Sequence, residues 1–181
     1  MKKIFGLSAL VVQMISLNAV AYDASVSFSG NVTGATCIMN PSDSTKTLTI
    51  PDVPAKRLYN AGVDGWKTYK QDTTVSFSLC PVSVTSVNIK NVTTSGTPLS
   101  LYPEYNKPAS GSANDIYLVL GSNNIPFKAN GSDINKSFDV SGGASEVPLT
   151  VGVTSLGAAG GGLKPTSGTY SSTFTVTFDW T

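Results

Sequence analysis

Two segments of the chain alternate strictly between apolar and polar positions. In the last one, residues 168–181 read GTYSSTFTVTFDWT. Tyr170, Ser172, Phe174, Val176, Phe178 and Trp180 fall on one set of alternate positions; Ser171, Thr173, Thr175, Thr177 and Asp179 fall on the other. A period of two built from β-branched and aromatic residues predicts a strand with one buried face. Its hydrophobic face is strong enough that a partner is expected beside it, at least partly from another chain. The second segment, residues 22–32, reads YDASVSFSGNV. Ala24, Val26, Phe28, Gly30 and Val32 share one face, against Asp23, Ser25, Ser27, Ser29 and Asn31 on the other.

Between these segments the same reading gives short strands at residues 45–50, 73–80, 84–92, 116–120, 125–127, 138–140 and 147–156. Turn-forming clusters separate them, such as Pro41 to Ser44 and the run at 157–162. Residues 57–72 and 93–114 read as irregular and polar. No stretch sustains a period of 3.6. Many short strands with Gly, Pro, Asn and Ser turns predict an all-β chain, best described as an immunoglobulin-like β-sandwich.

The start of the chain follows a different rule. Lys2 and Lys3 precede an apolar run that closes on Ala19-Val20-Ala21. This is the pattern of a secretory signal peptide over residues 1–21, removed before Tyr22. The apolar run is short for a membrane span of about 20 residues. Without it, ten basic residues face eleven acidic ones, and charged residues make up only 13% of the whole chain. Such a balance gives no electrostatic grip on nucleic acid or anionic lipid.

Cys37 and Cys80 are the only cysteines. In an exported chain a lone pair reads most simply as one disulfide. Free thiols with a redox or metal role are the alternative, but there is no histidine and no C-x-x-C spacing to support it.

The absence of histidine also removes the usual general base and any Ser-His-Asp or Cys-His arrangement. Glu104 and Glu146 are the only glutamates that could enter a glycosidase pair. Asp133, Asn135, Ser137 and Asp139 imitate the start of a calcium loop. Phe138 and Ala144 occupy the places where such a loop needs Gly and Glu, so a polar loop is the better reading. Neither an enzyme nor a cofactor is expected.

The order of landmarks resembles a known family. An alternating segment around Val26–Val32 has its glycine, Gly30, seven residues before Cys37. Cys80 ends a second alternating strand, and Gly168 precedes alternating hydrophobics that finish on the penultimate aromatic Trp180. Together these features are similar to pilin subunits of the chaperone–usher type, akin to those of type 1 and P pili. Many relatives carry Tyr where this chain has Trp180.

The resemblance implies an incomplete immunoglobulin-like β-sandwich completed by a donor strand from another chain. It divides the chain into a signal peptide (1–21), a donor-strand extension (22–32) and a pilin domain (33–181). Ala24, Val26, Phe28, Gly30 and Val32 would form the donor strand. Phe174, Val176, Phe178 and Trp180 would line the acceptor groove and meet the chaperone. An extended strand over 22–32 spans about 36 Å, enough to line such a groove. The implied partners are a periplasmic pilus chaperone, an outer-membrane usher and neighbouring pilin subunits, homo- or hetero-polymeric. The implied location is the cell-surface fimbrium.

The alternative within the same pilus is a minor tip or adaptor subunit, or a single-domain carbohydrate-binding adhesin. In the adhesin reading, Trp66, Tyr102 and Tyr105 would stack on a host glycan receptor.

Overall fold

The computed structural model describes residues 22–30, 36–157 and 164–181; for residues 22–24, 29 and 30 it describes the backbone only. The expected signal peptide, Val32 and the glycine run at 160–162 lie outside these residues.

Among the described residues fourteen strands follow in chain order: β1 (Tyr22–Gly30), β2 (Ile38–Met39), β3 (Thr45–Ile50), β4 (Lys70–Ser78), β5 (Ser86–Thr94), β6 (Thr97–Pro98), β7 (Asn106–Lys107), β8 (Ser110–Gly111), β9 (Tyr117–Ser122), β10 (Ile125–Pro126), β11 (Asn130–Asp139), β12 (Ser145–Thr154), β13 (Tyr170–Ser171) and β14 (Thr173–Trp180). They form two main sheets. One runs in the order β11-β5-β14-β1-β3; the other runs β2-β4-β12-β9-β7-β6, with β10 beside β9. This is an all-β, immunoglobulin-like sandwich. The main core lies between the sheets, with Val75, Phe77, Val147, Leu149 and Val151 from the second sheet meeting Val87, Ile89, Phe174 and Val176 from the first.

The near-continuous apolar run IYLVL is explained by burial on both faces. Leu118 and Leu120 of β9 enter the main core, while Tyr117 and Val119 enter a second, smaller cluster with Trp66 and Tyr105. That cluster is roofed by the segment between β3 and β4. The polar reading of 57–72 as irregular is corrected here, because two short helices occupy it: α1 (Ala55–Ala61) and α2 (Gly65–Thr68). They are too short to show a period of 3.6, and Leu58 is the only buried residue of α1. Gly62, at a φ of 56°, accepts the left-handed turn that ends α1, and its N–H bonds the carbonyls of Leu58 and Tyr59. Trp66, placed in a polar loop by its neighbours in sequence, is almost completely buried. Its backbone lies so close to β12 that a Cβ on Gly152 would fall 2.3 Å from the Trp66 carbonyl oxygen.

A second correction concerns β11, expected only as an edge at residues 138–140. It extends over ten residues and pairs with β5. The sequence hides it because its register shifts twice, between Asn130 and Asp133 and between Asp133 and Lys136, and Asn135 has a φ of 54°. Each shift breaks the alternation that marks a strand. The oxygen-bearing residues Asp133, Asn135, Ser137 and Asp139 therefore lie along a strand, and no cluster able to hold a metal is found among the described residues. Among the same residues no helix is long and apolar enough to cross a membrane.

The sandwich has two ends. At one, the disulfide joins Cys37 to Cys80, the amide of Cys80 donates to the carbonyl of Gly143 (2.9 Å), and the carbonyl of Thr181 accepts from the amides of Thr85 and Ser86 (2.6 and 2.9 Å). At the other end lie Ile50, Thr94, Thr154 and the start of β14, since Tyr22 pairs with Ile50, Phe174 with Thr94, and Tyr117 with Thr154.

Candidate functional site

The site begins with β14. Its alternate side chains Phe174, Val176 and Phe178 are buried, and Trp180 is partly buried, as a single inward face requires. One edge of β14 pairs antiparallel with β5 and the other pairs parallel with β1. Within this chain, therefore, the second partner of the last strand, beside β5, is the chain's own N-terminal segment.

β1 is an interior strand of its sheet, between β14 and the edge strand β3. Its residues 25–30 pair with 173–178 of β14, and its residues 22–27 pair with 50–45 of β3. The amide of Ser25 donates to the carbonyl of Ser172 (2.9 Å) and that of Phe28 to the carbonyl of Ser44 (3.1 Å). Val26 is fully buried, and Phe28 nearly so. The Phe28 ring sits 6.2 Å from Phe178; Phe178 meets Phe77 edge-on at 5.0 Å, and Phe77 meets Trp180 at 5.5 Å. Phe178, Phe77 and Trp180 form the floor of a groove whose walls are β14 and β3, and Phe28 of β1 packs onto it. Take β1 away and β14 and β3 each lose a partner for six residues, leaving unpaired N–H and C=O groups around an apolar floor.

Of the residues expected at this site, Val26, Phe28 and Gly30 lie on β1 opposite Phe174, Val176 and Phe178 of β14, and Ala24 lies opposite Leu48 of β3. Three contributors were not expected. β3 supplies the second wall, with Leu48 and Ile50 buried. Phe77, from the opposite sheet, joins the two aromatic ends. The third is a charged clamp behind β3. The buried Asp43 carboxylate accepts from the Lys46 ammonium (2.9 Å) and from the Ser76 amide (2.7 Å), and Lys46 also donates to Thr73 (3.2 Å). The clamp fastens the outer wall to β4 of the other sheet. Burial raises the Asp43 carboxyl, but the hydrogen bonds from Lys46 and Ser76 and the Lys46 charge outweigh it and hold the group below its ordinary value. The i, i+3 spacing of Asp43 and Lys46 after a proline turn was the available signal.

The aromatic residues considered for glycan stacking separate. Trp66 is buried in the second cluster and cannot offer a face. Tyr102 is half exposed, and its ring meets Tyr105 at 6.1 Å. Both line a cavity of about 740 Å³ at the end away from the disulfide, with Val63, Leu99, Leu101, Leu156 and Glu104. Burial, reinforced by the nearby Glu104 and Asp64, pushes the Tyr105 phenol above its ordinary value. Glu104 and Glu146 do not meet: one lines this cavity, while the other pairs with Ser76 near the disulfide end.

The sequence profile described as "Fimbrial protein" matches residues 26–180. The chain belongs to the fimbrial protein family. That family consists of structural, non-enzymatic pilins. No curated protein matches the sequence. Among solved structures, the fold is similar to the P pilus rod subunit PapA (TM-score 0.56, 11% identity, 80% of this chain and 100% of that one). It is also similar to a subunit of a chaperone–usher pilus (0.58, 14%, 84% and 93%). A third similar structure is a Burkholderia pseudomallei antigen and type I fimbria protein (0.50, 19%, 90% and 96%). At these identities the likeness speaks to fold. This fimbrial protein thus shares a sandwich that is incomplete until a strand fills the place of β1, and here its own β1 fills it.

Proposed function

We propose that this fimbrial protein is a structural pilus subunit that polymerises by donor-strand exchange. Residues 1–21 are removed on export, residues 22–32 act as the donor strand, and residues 33–181 form the pilin domain. The donor leaves its own sheet and enters the groove of a neighbouring subunit, between that subunit's β14 and β3. Before assembly, a periplasmic chaperone occupies the same groove, and an outer-membrane usher passes the subunit to the surface, where the fimbrium supports adhesion.

The observation that carries this reading is the seating of β1. It lies inside the sheet, between β14 and β3, yet it is the first strand in chain order among the described residues, and its Gly30 end points to the disulfide end. No other strand is threaded through it. It therefore leaves the sheet without unthreading the rest of the sandwich, and its alternate Val26 and Phe28 fill pockets that any strand of the same period would fill.

The test is complementation in trans. A chain lacking residues 22–30 should lose its cooperative unfolding transition and regain it with a peptide of residues 22–32. A truncated chain that folds as stably as the full chain without peptide would overturn the proposal.

A further inference from the structure

We infer that the apolar residues Ile38, Leu79 and Val82 around the disulfide dock into the Tyr102–Leu101 cavity at the opposite end of the next copy. This contact rests on the strand-exchange reading and adds a second interface to it.

Strand direction decides which ends of successive copies meet. β1 runs parallel to β14, so its Gly30 end lies at the disulfide end of its own domain, beside Phe178. Cys37 lies at that same end. A donated β1 therefore stays tethered to the disulfide end of its owner. If it entered a neighbour in the same parallel sense, its tether would emerge at the neighbour's disulfide end. Two disulfide ends would then face each other, and a symmetric pair would close. If it entered in the reverse sense, the tether would emerge at the neighbour's far end. That arrangement repeats head to tail without closing, as a fibre must. Reversal keeps the alternate side chains on one face, so Val26 and Phe28 still point inward. A fibre thus sets the disulfide end of one copy against the far end of the next.

Those two ends hold most of the exposed large hydrophobic side chains among the described residues. Among the described residues, six large hydrophobic side chains are exposed. Ile38, Leu79 and Val82 surround the disulfide: Ile38 pairs with Ser78, and Leu79 and Val82 flank Cys80 and Pro81. Leu101 and Tyr102 line the cavity at the far end, leaving only Ile125 elsewhere. Leu79 adds a second observation. Its φ is 51°, and every other non-glycine with positive φ among the described residues is Asn or Asp, which tolerate that region. The left-handed turn throws Leu79 outward while Cys80 faces the core. An unfavourable backbone that holds an apolar side chain in water is the kind of strain that marks a binding surface. The cavity that would receive it is lined mainly by Val63, Leu99, Leu101, Tyr102, Tyr105 and Leu156, with one carboxylate, Glu104.

The test is a charge exchange across the contact in the full exported chain. Val82→Asp and Leu101→Asp, both at exposed positions, should each slow polymer assembly about tenfold, the scale of an unfavourable charge at an apolar contact. Combining Val82→Asp with Leu101→Lys should restore assembly to within about threefold of the parent chain. Assembly unaffected by either single substitution, or not recovered in the combined variant, would overturn the contact. Uptake of a labelled peptide of residues 22–32 by the same chains reports strand exchange separately. Normal peptide uptake in all variants with no charge effect on assembly defeats the docking contact alone. A parent chain that takes up no peptide and forms no polymer even when its chaperone and usher are supplied defeats the strand-exchange reading beneath it.

Discussion

Phe28 is where the seating of β1 is most directly measurable. Its side chain is 5% exposed and its ring lies 6.2 Å from Phe178. Phe28→Ala removes that ring from water-free surroundings, which alone accounts for about 1.5–3 kcal/mol. The cavity left against Phe178 and Phe77 adds to this, bringing the expected loss to about 3–5 kcal/mol. For a domain of this size each kcal/mol moves the melting temperature by about 2–4 °C, so a fall of about 6–20 °C is expected. The assay is thermal unfolding of the full chain by circular dichroism. Ser27→Ala serves as control: Ser27 sits next to Phe28 on the opposite, partly exposed face, where changes stay within about 0.5 kcal/mol. A Phe28→Ala shift below about 3 °C, or one equal to the control, would refute the seating of β1 and with it the pocket-filling argument.

Three further outcomes follow from the same structure. Cys37→Ser with Cys80→Ser opens a loop of 43 residues and should lower unfolding free energy by about 4 kcal/mol in urea titration, by the chain-entropy relation. Asp43→Asn should destabilise the chain at neutral pH. Because the folded carboxyl titrates below its ordinary value, its contribution is present above about pH 4 and is lost as pH falls through the folded value. Urea midpoints of variant and parent should therefore converge in acid, and a gap that widens there would be contrary to this account. Gly152→Ala would press a Cβ onto the Trp66 carbonyl. A loss of about 1–3 kcal/mol and a weakened near-ultraviolet tryptophan signal are expected.

What could be read in the chain depended on periodicity. β1 and β14 were legible because Val26, Phe28, Phe174, Val176 and Phe178 keep a strict period of two and face one core. The direction in which they run past each other was not legible, since a period of two is the same read either way. Only the end of β11, at 138–140, was legible; the rest was missed because its register shifts put polar residues where alternation demands apolar ones. Trp66 was misplaced because its burial comes from β12 and β9, far away in sequence, while its neighbours Gly65 and Lys67 read as loop. The Asp43–Lys46 clamp lies between these cases. The two residues are local, but the Ser76 amide that completes the site comes from another strand.

The occupied groove has a kinetic consequence. A strand joined to its own domain faces that groove at an effective concentration of roughly millimolar, as short linkers generally provide. A neighbouring copy offering the same strand at micromolar levels competes at a disadvantage of about a thousandfold on concentration alone. The chain left to itself therefore rests as a closed, non-assembling unit. On the proposed strand-exchange reading, fibre growth then needs an agent that keeps the groove from its own β1 until the next subunit is at hand, and the seating of Val26 and Phe28 acts as a safety catch against assembly in the wrong place.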